Sequence, residues 1–219
     1  MNLNTNAALN QLLDTEGLNT NALVNLLADA ALTAGLPDYP IGSDQNFTST
    51  YGTISNQVVQ INKVYGYVGI VNKKVTISSL GLRTVGTAVG NIVMGIYKYT
   101  DNGTATGQWD LVEQTDPTSP IDTSVSGMYN IGLTNPAVLD VGVYALCILS
   151  SASITANQQI ATSVSPFLGH SNPTGTTGYK NVISANFTYN ATMPAQLTSP
   201  VGTASSYAPY VVAKVIAPI

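Results

Sequence analysis

The sequence predicts a mainly β fold, in which an antiparallel β-sandwich follows a short amino-terminal arm of two helices. Beyond residue 50, Val, Ile, Tyr and Thr recur with a period of two between clusters of Gly, Pro, Asn and Asp, which is typical of short strands joined by turns. No helix-length apolar period interrupts these segments, so parallel β-α-β units are excluded. The first 36 residues instead carry the spacing of amphipathic helices. At 219 residues the chain can form one main domain with a substantial core.

The arm, residues 1–36, is predicted from an internal repeat. The segments LNTNAALNQLLD, Leu3–Asp14, and LNTNALVNLLAD, Leu18–Asp29, align without a gap at an offset of 15. Each repeat carries a stripe of three leucines, which are Leu9, Leu12 and Leu13 in the first and Leu23, Leu26 and Leu27 in the second. Helices this short are marginal in water unless their apolar face is buried. We therefore expect the six leucines to dock on a partner protein, with packing on the chain's own β-domain as the alternative.

A connector, residues 37–50, and a β-domain, residues 51–219, follow the arm. The connector is predicted from clustered Pro, Gly and small polar residues without periodicity. The predicted strands are Val58–Ile61, Tyr65–Val71, Val75–Val85, Ile92–Tyr99, Trp109–Glu113, Met128–Leu133, Gly142–Ser151, Ile154–Ser163, Asn181–Tyr189 and Tyr210–Ile216. With eight or more antiparallel strands, a jelly roll is the expected form of the sandwich.

Charge is scarce and unevenly placed. Charged residues make up 8% of the chain and the net charge is −4, so no basic field exists for binding nucleic acid. No apolar run is long enough for membrane insertion, and the start lacks a secretion-signal pattern, so we expect synthesis in the cytoplasm. The acids that precede the first basic residue, Lys63, are Asp14, Glu16, Asp29, Asp38 and Asp44. This asymmetry indicates that the arm and the β-domain meet different surroundings.

Residues able to carry catalysis are few. His170 is the only histidine and lies among loop-forming residues, without a Gly-x-Ser-x-Gly motif in the chain. Asp110, Glu113 and Asp116 could approach one another, but carboxylates near a turn are usually solvated. Cys147 is the only cysteine, which excludes an intramolecular disulfide, and its position on an apolar strand face predicts a buried thiol. We predict no enzyme activity, metal or cofactor.

Aromatic side chains are the best candidates for ligand binding. Sugar rings stack on exposed Trp and Tyr faces, and Tyr97, Tyr99, Trp109 and Tyr179 lie near predicted strand ends or in loops. Tyrosine also packs well on half-buried strands, so a structural role is the alternative for each. The sequence Asp-Asn-Gly at 101–103 predicts a hairpin turn rather than a calcium loop, because carboxylates do not follow at alternate positions.

Four segments of the β-domain carry a resemblance to a known family. They are KKVTISSLGLRTVG, NIVMGIYKYTDNGTATGQWDLVEQT, LDVGVYALCILSSAS and YAPYVVAKV, and they fall within residues 64–216. The pattern resembles the jelly-roll or sandwich domains of bacteriophage virion surface proteins, of the capsid decoration, cement or head-fibre type. It is also similar to tail-fibre heads.

This resemblance implies a homotrimer that is located in the virion and builds or decorates it. The arm would then dock on the major capsid protein or another virion protein, with the β-domain displayed outward. The alternative is the receptor-binding head of a tail fibre or tailspike, which binds a glycan on the host surface. The short arm favours the first, because no sustained heptad pattern of a fibre shaft is present.

Overall fold

The structure, a computed structural model, describes residues 44–45, 54–86, 89–101, 108–118, 121–160, 182–198 and 207–218. These residues form fourteen β-strands and no helix occurs among them. In chain order the strands are β1 (Asp44–Gln45), β2 (Ile54–Val59), β3 (Lys63–Val71), β4 (Val75–Thr84), β5 (Asn91–Thr100), β6 (Gln108–Gln114), β7 (Ile121–Asp122), β8 (Gly127–Leu139), β9 (Gly142–Ser150), β10 (Ile154–Ile160), β11 (Val182–Asn186), β12 (Gln196–Thr198), β13 (Tyr207–Pro209) and β14 (Val212–Pro218). The predicted helical arm lies outside the described residues.

Seven strands form an antiparallel sheet, sheet A. Its strand β4 pairs with β8 along one side and with β14 along the other, and β14 also pairs with β1. Strand β10 joins the end of β4, where Ala156 lies opposite Thr84. It carries β2 and β13 at its two sides. Sheet A therefore contains both the first strands of the chain, β1 and β2, and the last ones, β13 and β14.

The other seven strands form sheet B, in the order β11-β3-β9-β5-β6-β12, with β7 added to β5. The consecutive strands β5 and β6 pair antiparallel up to Thr100 opposite Gln108. This confirms that the two strands flanking the Asp-Asn-Gly sequence form a hairpin. Residues 102–107 of its connection lie outside the described residues.

An inter-sheet core lies between sheets A and B. Leu80 and Leu82 of β4 enter it from sheet A, and Met94 of β5, with Leu146 and Ile148 of β9, from sheet B. All five side chains are buried, and burial stabilises the fold by roughly 25 cal/mol for each Å² of apolar surface removed from water. Two antiparallel sheets that share a core are consistent with the predicted β-sandwich.

An outer core covers the opposite face of sheet B. It contains Tyr97 of β5, Trp109 of β6 and Cys147 of β9, together with Met193 and Leu197 from the segment around β12. The central strands of sheet B are therefore buried on both faces. This explains why β9 reads VYALCIL, a continuous apolar run, instead of alternating with polar residues.

Strand β8 contains a wide bulge that reaches from sheet A to sheet B. Residues 133–136 lie between its pairings with Ile77 and Ser79 of β4, and the bulge bridges to Thr115, which follows β6. Pro136 falls inside the bulge, where its missing N–H costs no ladder hydrogen bond. The prediction ended this strand at Leu133, whereas the strand continues to Leu139.

All ten predicted strands overlap strands in the structure. The largest difference at a start is in β2, which begins at Ile54 rather than at Val58. The strands missed by the prediction, β1, β7, β12 and β13, contain two or three residues each, too few to show a period. Strand β1 lies within the segment predicted as a connector.

Candidate functional site

Three of the four predicted sugar-stacking residues meet on one face of sheet B. Tyr97 and Tyr99 are alternate residues of β5, and Trp109 of β6 lies opposite Tyr99. The Tyr99 and Trp109 rings make an edge-to-face contact, with centroids 5.3 Å apart and planes at 62°. The Tyr97 hydroxyl donates a hydrogen bond to the Pro194 carbonyl at 2.7 Å. Strand alternation and β5–β6 pairing thus assemble an aromatic cluster.

Burial corrects the sugar-stacking prediction for Tyr97 and Trp109. Both side chains are 0% exposed, whereas stacking on a sugar requires an open ring face. Burial also raises the pKa of the Tyr97 hydroxyl far above its ordinary value of 10.0. These residues belong to the outer core, which the sequence did not reveal because large aromatic residues suit an exposed platform and a core equally well. Tyr99 is half-buried, and Tyr179 lies outside the described residues.

A hydrogen-bonded polar cluster lies near the end of β5 and the starts of β6 and β12, on the face of sheet B opposite to the aromatic cluster, because Thr100, Gln108 and Asp110 alternate with Tyr99 and Trp109. The Asp110 carboxylate accepts hydrogen bonds from Gln108 Nε2 at 2.7 Å and Gln196 Nε2 at 2.9 Å, both at Oδ1. Its Oδ2 accepts one from Thr100 Oγ1 at 3.2 Å. These bonds, with that from Gln196 the largest cause, hold the pKa of the Asp110 carboxyl below its ordinary value of 3.8.

The polar cluster is suited to exchanging hydrogen bonds with hydroxyl groups. Its amides present both donors and acceptors, and the carboxylate stays ionised. Neither Gln108 nor Gln196 stood out in the sequence, because residues 88 positions apart come together only through the β6–β12 pairing. Asp110 was expected to be solvated, and its carboxylate does lie near the surface, where three side chains also donate hydrogen bonds to it.

The other acidic residues near β6 have separate local partners. Glu113 Oε2 accepts a hydrogen bond from Asn135 Nδ2 at 3.3 Å, and Asp116 Oδ1 accepts two from Thr118. Within the described ranges, no group of three or more His, Cys, Asp or Glu residues is placed to hold a metal ion. Cys147 is buried, as predicted, and burial raises the pKa of its thiol well above the ordinary value of 9.0.

The solvent side of sheet A combines apolar and charged side chains. Because Leu80 and Leu82 point into the inter-sheet core, the alternate residues Ser79, Gly81 and Arg83 lie on the outer side. Gly81 is nevertheless buried, since the side chains of Met128 and Asn130 lie next to it. The same alternation exposes further residues on β8 and β14. We call this surface the outer face of sheet A and define it by Thr76, Ser79, Gly81, Arg83, Met128, Asn130, Gly132, Val138, Lys214 and Ile216. It carries Arg83 and Lys214, and Asp44 of β1 lies directly opposite Lys214 on the same face of the sheet. The sequence analysis did not predict this surface, because similar residue types occur at its exposed and buried strand positions.

Several predicted functional residues lie outside the described part of the chain. These are the docking leucines Leu9, Leu12, Leu13, Leu23, Leu26 and Leu27, and also His170 and Tyr179. Docking through the leucines therefore stays a prediction.

The described residues form an all-β fold of two antiparallel sheets. No protein-family model matches the sequence, and no curated protein matches it. Among the residues that the structure describes, there is no helix long and apolar enough to span a membrane.

Proposed function

We propose that this protein is a structural component of a bacteriophage virion. In this proposal it is a trimeric capsid decoration, cement or head-fibre protein, which docks on the particle through residues 1–36 and displays its β-domain outward. The two-sheet β-domain takes the form of a jelly roll. The phage assignment derives from the resemblance carried by the strand segments between residues 64 and 216.

The observation that supports a role in assembly is the group of exposed apolar residues among those described on the outer face of sheet A. Val138 and Ile216 lie on the strands at the two sides of Thr76 and are 49% and 40% exposed, whereas Met128, opposite Arg83 toward the other end of β4, is 50% exposed. Single apolar side chains on a surface need no partner, so the support comes from Val138 and Ile216, which flank the same part of β4 and form a small apolar area that a protein partner can cover. The low charge of the chain supports the same role, since it favours association over repulsion.

The first test is the mass of the full chain in solution, measured by light scattering on a sizing column over a range of concentrations. The proposal expects three times the chain mass of 22.8 kDa. A chain that stays monomeric at every concentration would contradict the trimer and with it the proposed role.

The second test locates the protein on the particle. An antibody against the β-domain is applied to purified particles of the phage whose genome encodes the chain, and the particles are imaged by electron microscopy. Gold label over the capsid is the expected result. Label at the tail tip supports the receptor-binding alternative, and unlabelled particles contradict both.

The receptor-binding alternative is favoured by the polar cluster around Asp110. Its amide and carboxylate groups, on the face of sheet B opposite to Tyr99 and Trp109, offer hydrogen-bond donors and acceptors that suit recognition of sugar hydroxyls. A glycan array probed with the full chain tests this function, with Asp110→Ala as the variant expected to lose binding and Asp122→Ala, an exposed acid at the opposite end of β5, as its control. An array without signal removes this alternative.

A further inference from the structure

We infer that Lys98 and the polar cluster around Asp110 form one binding site for an acidic sugar, a glycan unit that carries a carboxylate beside its hydroxyl groups. The inference rests on the receptor-binding alternative given under the proposed function, because it names the class of glycan that this alternative would recognise. It is carried by the place of Lys98 in sheet B, by the charges near it, and by the hydrogen-bonding groups that the cluster leaves available.

Lys98 and Asp110 lie in one row that crosses sheet B. The register places Lys98 of β5 directly opposite Asp110 of β6. Gln196 of β12 lies opposite Asp110 on the other side of β6. Because neighbouring strands are about 4.8 Å apart and residues directly opposite share a face, the three side chains stand next to one another. They occupy the face of sheet B that also bears the inter-sheet core.

On β5 and β6 this row is the first past the inter-sheet core. In the row before it, Ile96 is buried in that core. Glu113, opposite Ile96, accepts a hydrogen bond from Asn135 in the bulge of β8, where sheet A reaches sheet B. Past this contact Lys98 and Gln196 are exposed. The row therefore lies on a ledge of sheet B that is open to solvent and has the β8 bulge at its inner end.

Lys98 brings a positive charge to the ledge without a counter-ion. Among the residues that the structure describes, Lys74 and Asp140 form an ion pair, with Nζ and Oδ1 3.2 Å apart, whereas Lys98 has no ion-pair partner. Lys98 Cε lies 3.9 Å from the position of a Cβ placed on Gly142 of β9, so the side chain leans away from β6. The Asp110 carboxylate is instead engaged with three side-chain donors. The Lys98 ammonium group is therefore available to an anionic ligand.

The polar cluster supplies groups that bind the hydroxyls of a sugar. Gln108 and Gln196 each donate one N–H to Asp110 Oδ1, and each amide carries a second N–H donor and a carbonyl acceptor. Asp110 Oδ2 accepts a hydrogen bond from Thr100, and a carboxylate oxygen has a further acceptor site. Hydroxyl groups can thus bind at the cluster while a carboxylate binds at Lys98.

Lys98 and the polar cluster together select an acidic sugar. A neutral sugar satisfies the cluster but leaves the Lys98 charge without a partner, and an amino sugar places a second cation beside it. A hydrogen bond from an ammonium group to a carboxylate is about twice as strong as one between neutral groups. The whole chain has a net charge of −4, so general attraction does not favour an acidic glycan. A preference for one would therefore report on this site.

The test uses an array of glycans that contain uronic or sialic acids, each printed beside its carboxyl-reduced form and beside amino sugars. The full chain is applied over a range of concentrations, so that an affinity is obtained for each glycan. We expect acidic forms to bind about tenfold more tightly than their reduced forms, which is the gain that one hydrogen bond between charged groups provides.

Two variants with the same change of net charge locate the preference. Lys98→Gln should bring the affinities of the acidic and reduced forms within about twofold of each other, and it should leave binding of the reduced forms unchanged. Lys214→Gln removes an exposed lysine from sheet A and should leave the preference as it is in the parent.

The outcomes separate this inference from the function on which it rests. Equal binding of acidic and reduced forms, or tighter binding of amino sugars, would overturn the acidic ligand and keep the receptor-binding alternative. An array without any signal removes both. A preference that survives Lys98→Gln, or that Lys214→Gln lowers as much, would also overturn the inference, because the charge that selects the ligand would then lie elsewhere.

Discussion

Asn62 shows how one residue in a turn can hold three segments together. It lies between β2 and β3 with a φ of 53°, its N–H donates to the Ser150 carbonyl at 3.1 Å, and its carbonyl accepts from Phe187 N at 3.0 Å. Its Oδ1 also accepts a hydrogen bond from Tyr189 N at 2.9 Å. Asparagine is suited to this place because it tolerates the left-handed region better than most residues.

We expect Asn62→Ala to lower the free energy of unfolding by about 1–2 kcal/mol, since it loses one acceptor and strains the backbone. Urea denaturation measures this change. Asn62→Asp keeps the acceptor and the tolerance of positive φ, so it should stay within about 0.5 kcal/mol of the parent. Equal destabilisation by both variants would contradict the role given to the side-chain oxygen.

Trp109 is the only tryptophan of the chain and is 0% exposed, so its fluorescence reports on the outer core. In the native protein we expect acrylamide to quench it weakly, because the quencher must touch the ring. In urea the same residue should be quenched several times more strongly. Strong quenching in the native protein would show that the Trp109 ring is exposed and would contradict its place in the outer core.

At the scale of elements, β3 and β9 approach so closely that a side chain is excluded at Gly66. A Cβ at this position would lie 2.2 Å from Cys147 Sγ and 2.8 Å from the Leu146 carbonyl oxygen. The register puts Gly66 directly opposite Cys147. The cysteine thus packs over the glycine, and the two residues form one complementary pair.

Gly66→Ala is expected to cost about 3 kcal/mol of stability by overpacking. Cys147→Ala should reduce that cost, so that the double-mutant cycle shows a coupling of about 1 kcal/mol or more. Gly132→Ala is the matched control, since nothing lies within 4 Å of its added methyl group, and it should change stability by less than about 0.5 kcal/mol. Additive effects of Gly66→Ala and Cys147→Ala would contradict this contact.

The polar cluster ties β12 to β6 through Asp110, and this link should depend on pH. The pKa of its carboxyl is lowered in the folded chain, so the stabilisation is present above the ordinary value of 3.8 and is lost as the pH falls through the lower folded value. We expect Asp110→Asn to flatten the loss of stability between about pH 4 and pH 2. Chemical denaturation across this range measures it, and an unchanged slope would argue against the link.

At the scale of the whole molecule, the two cores share sheet B. The inter-sheet core lies on one face of β5 and β9, and the outer core on the other. If either core unfolds, β5 and β9 lose the packing on one face, and the other core depends on the same two strands. The β-domain should therefore unfold in one cooperative step, although it has two separate apolar clusters.

We expect urea transitions followed by Trp109 fluorescence and by far-UV circular dichroism to coincide. Leu80→Ala in the inter-sheet core and Leu197→Ala in the outer core should each move that single transition, by about 2–5 kcal/mol. A Leu197→Ala variant whose fluorescence changes before its circular dichroism would show that the outer core unfolds independently.

The sequence by itself determined the class of the fold and the positions of its principal strands. A period of two is a local property, because neighbouring residues of a strand point to opposite faces whatever the strand packs against. The same locality explains the correct prediction of the β5–β6 hairpin and of the buried thiol at Cys147.

Only the tertiary structure decided which faces are covered and which distant residues meet. The alternation of residues separates the two faces of a strand but does not say whether both faces are buried. The sequence around Trp109 was therefore compatible with an exposed ring that stacks on sugars and with a core residue, and the structure shows a core residue. Gln196 reaches Asp110, and Gly66 meets Cys147, through pairings between strands far apart in the chain. Such pairings depend on how the sheets are assembled, and no local pattern encodes them.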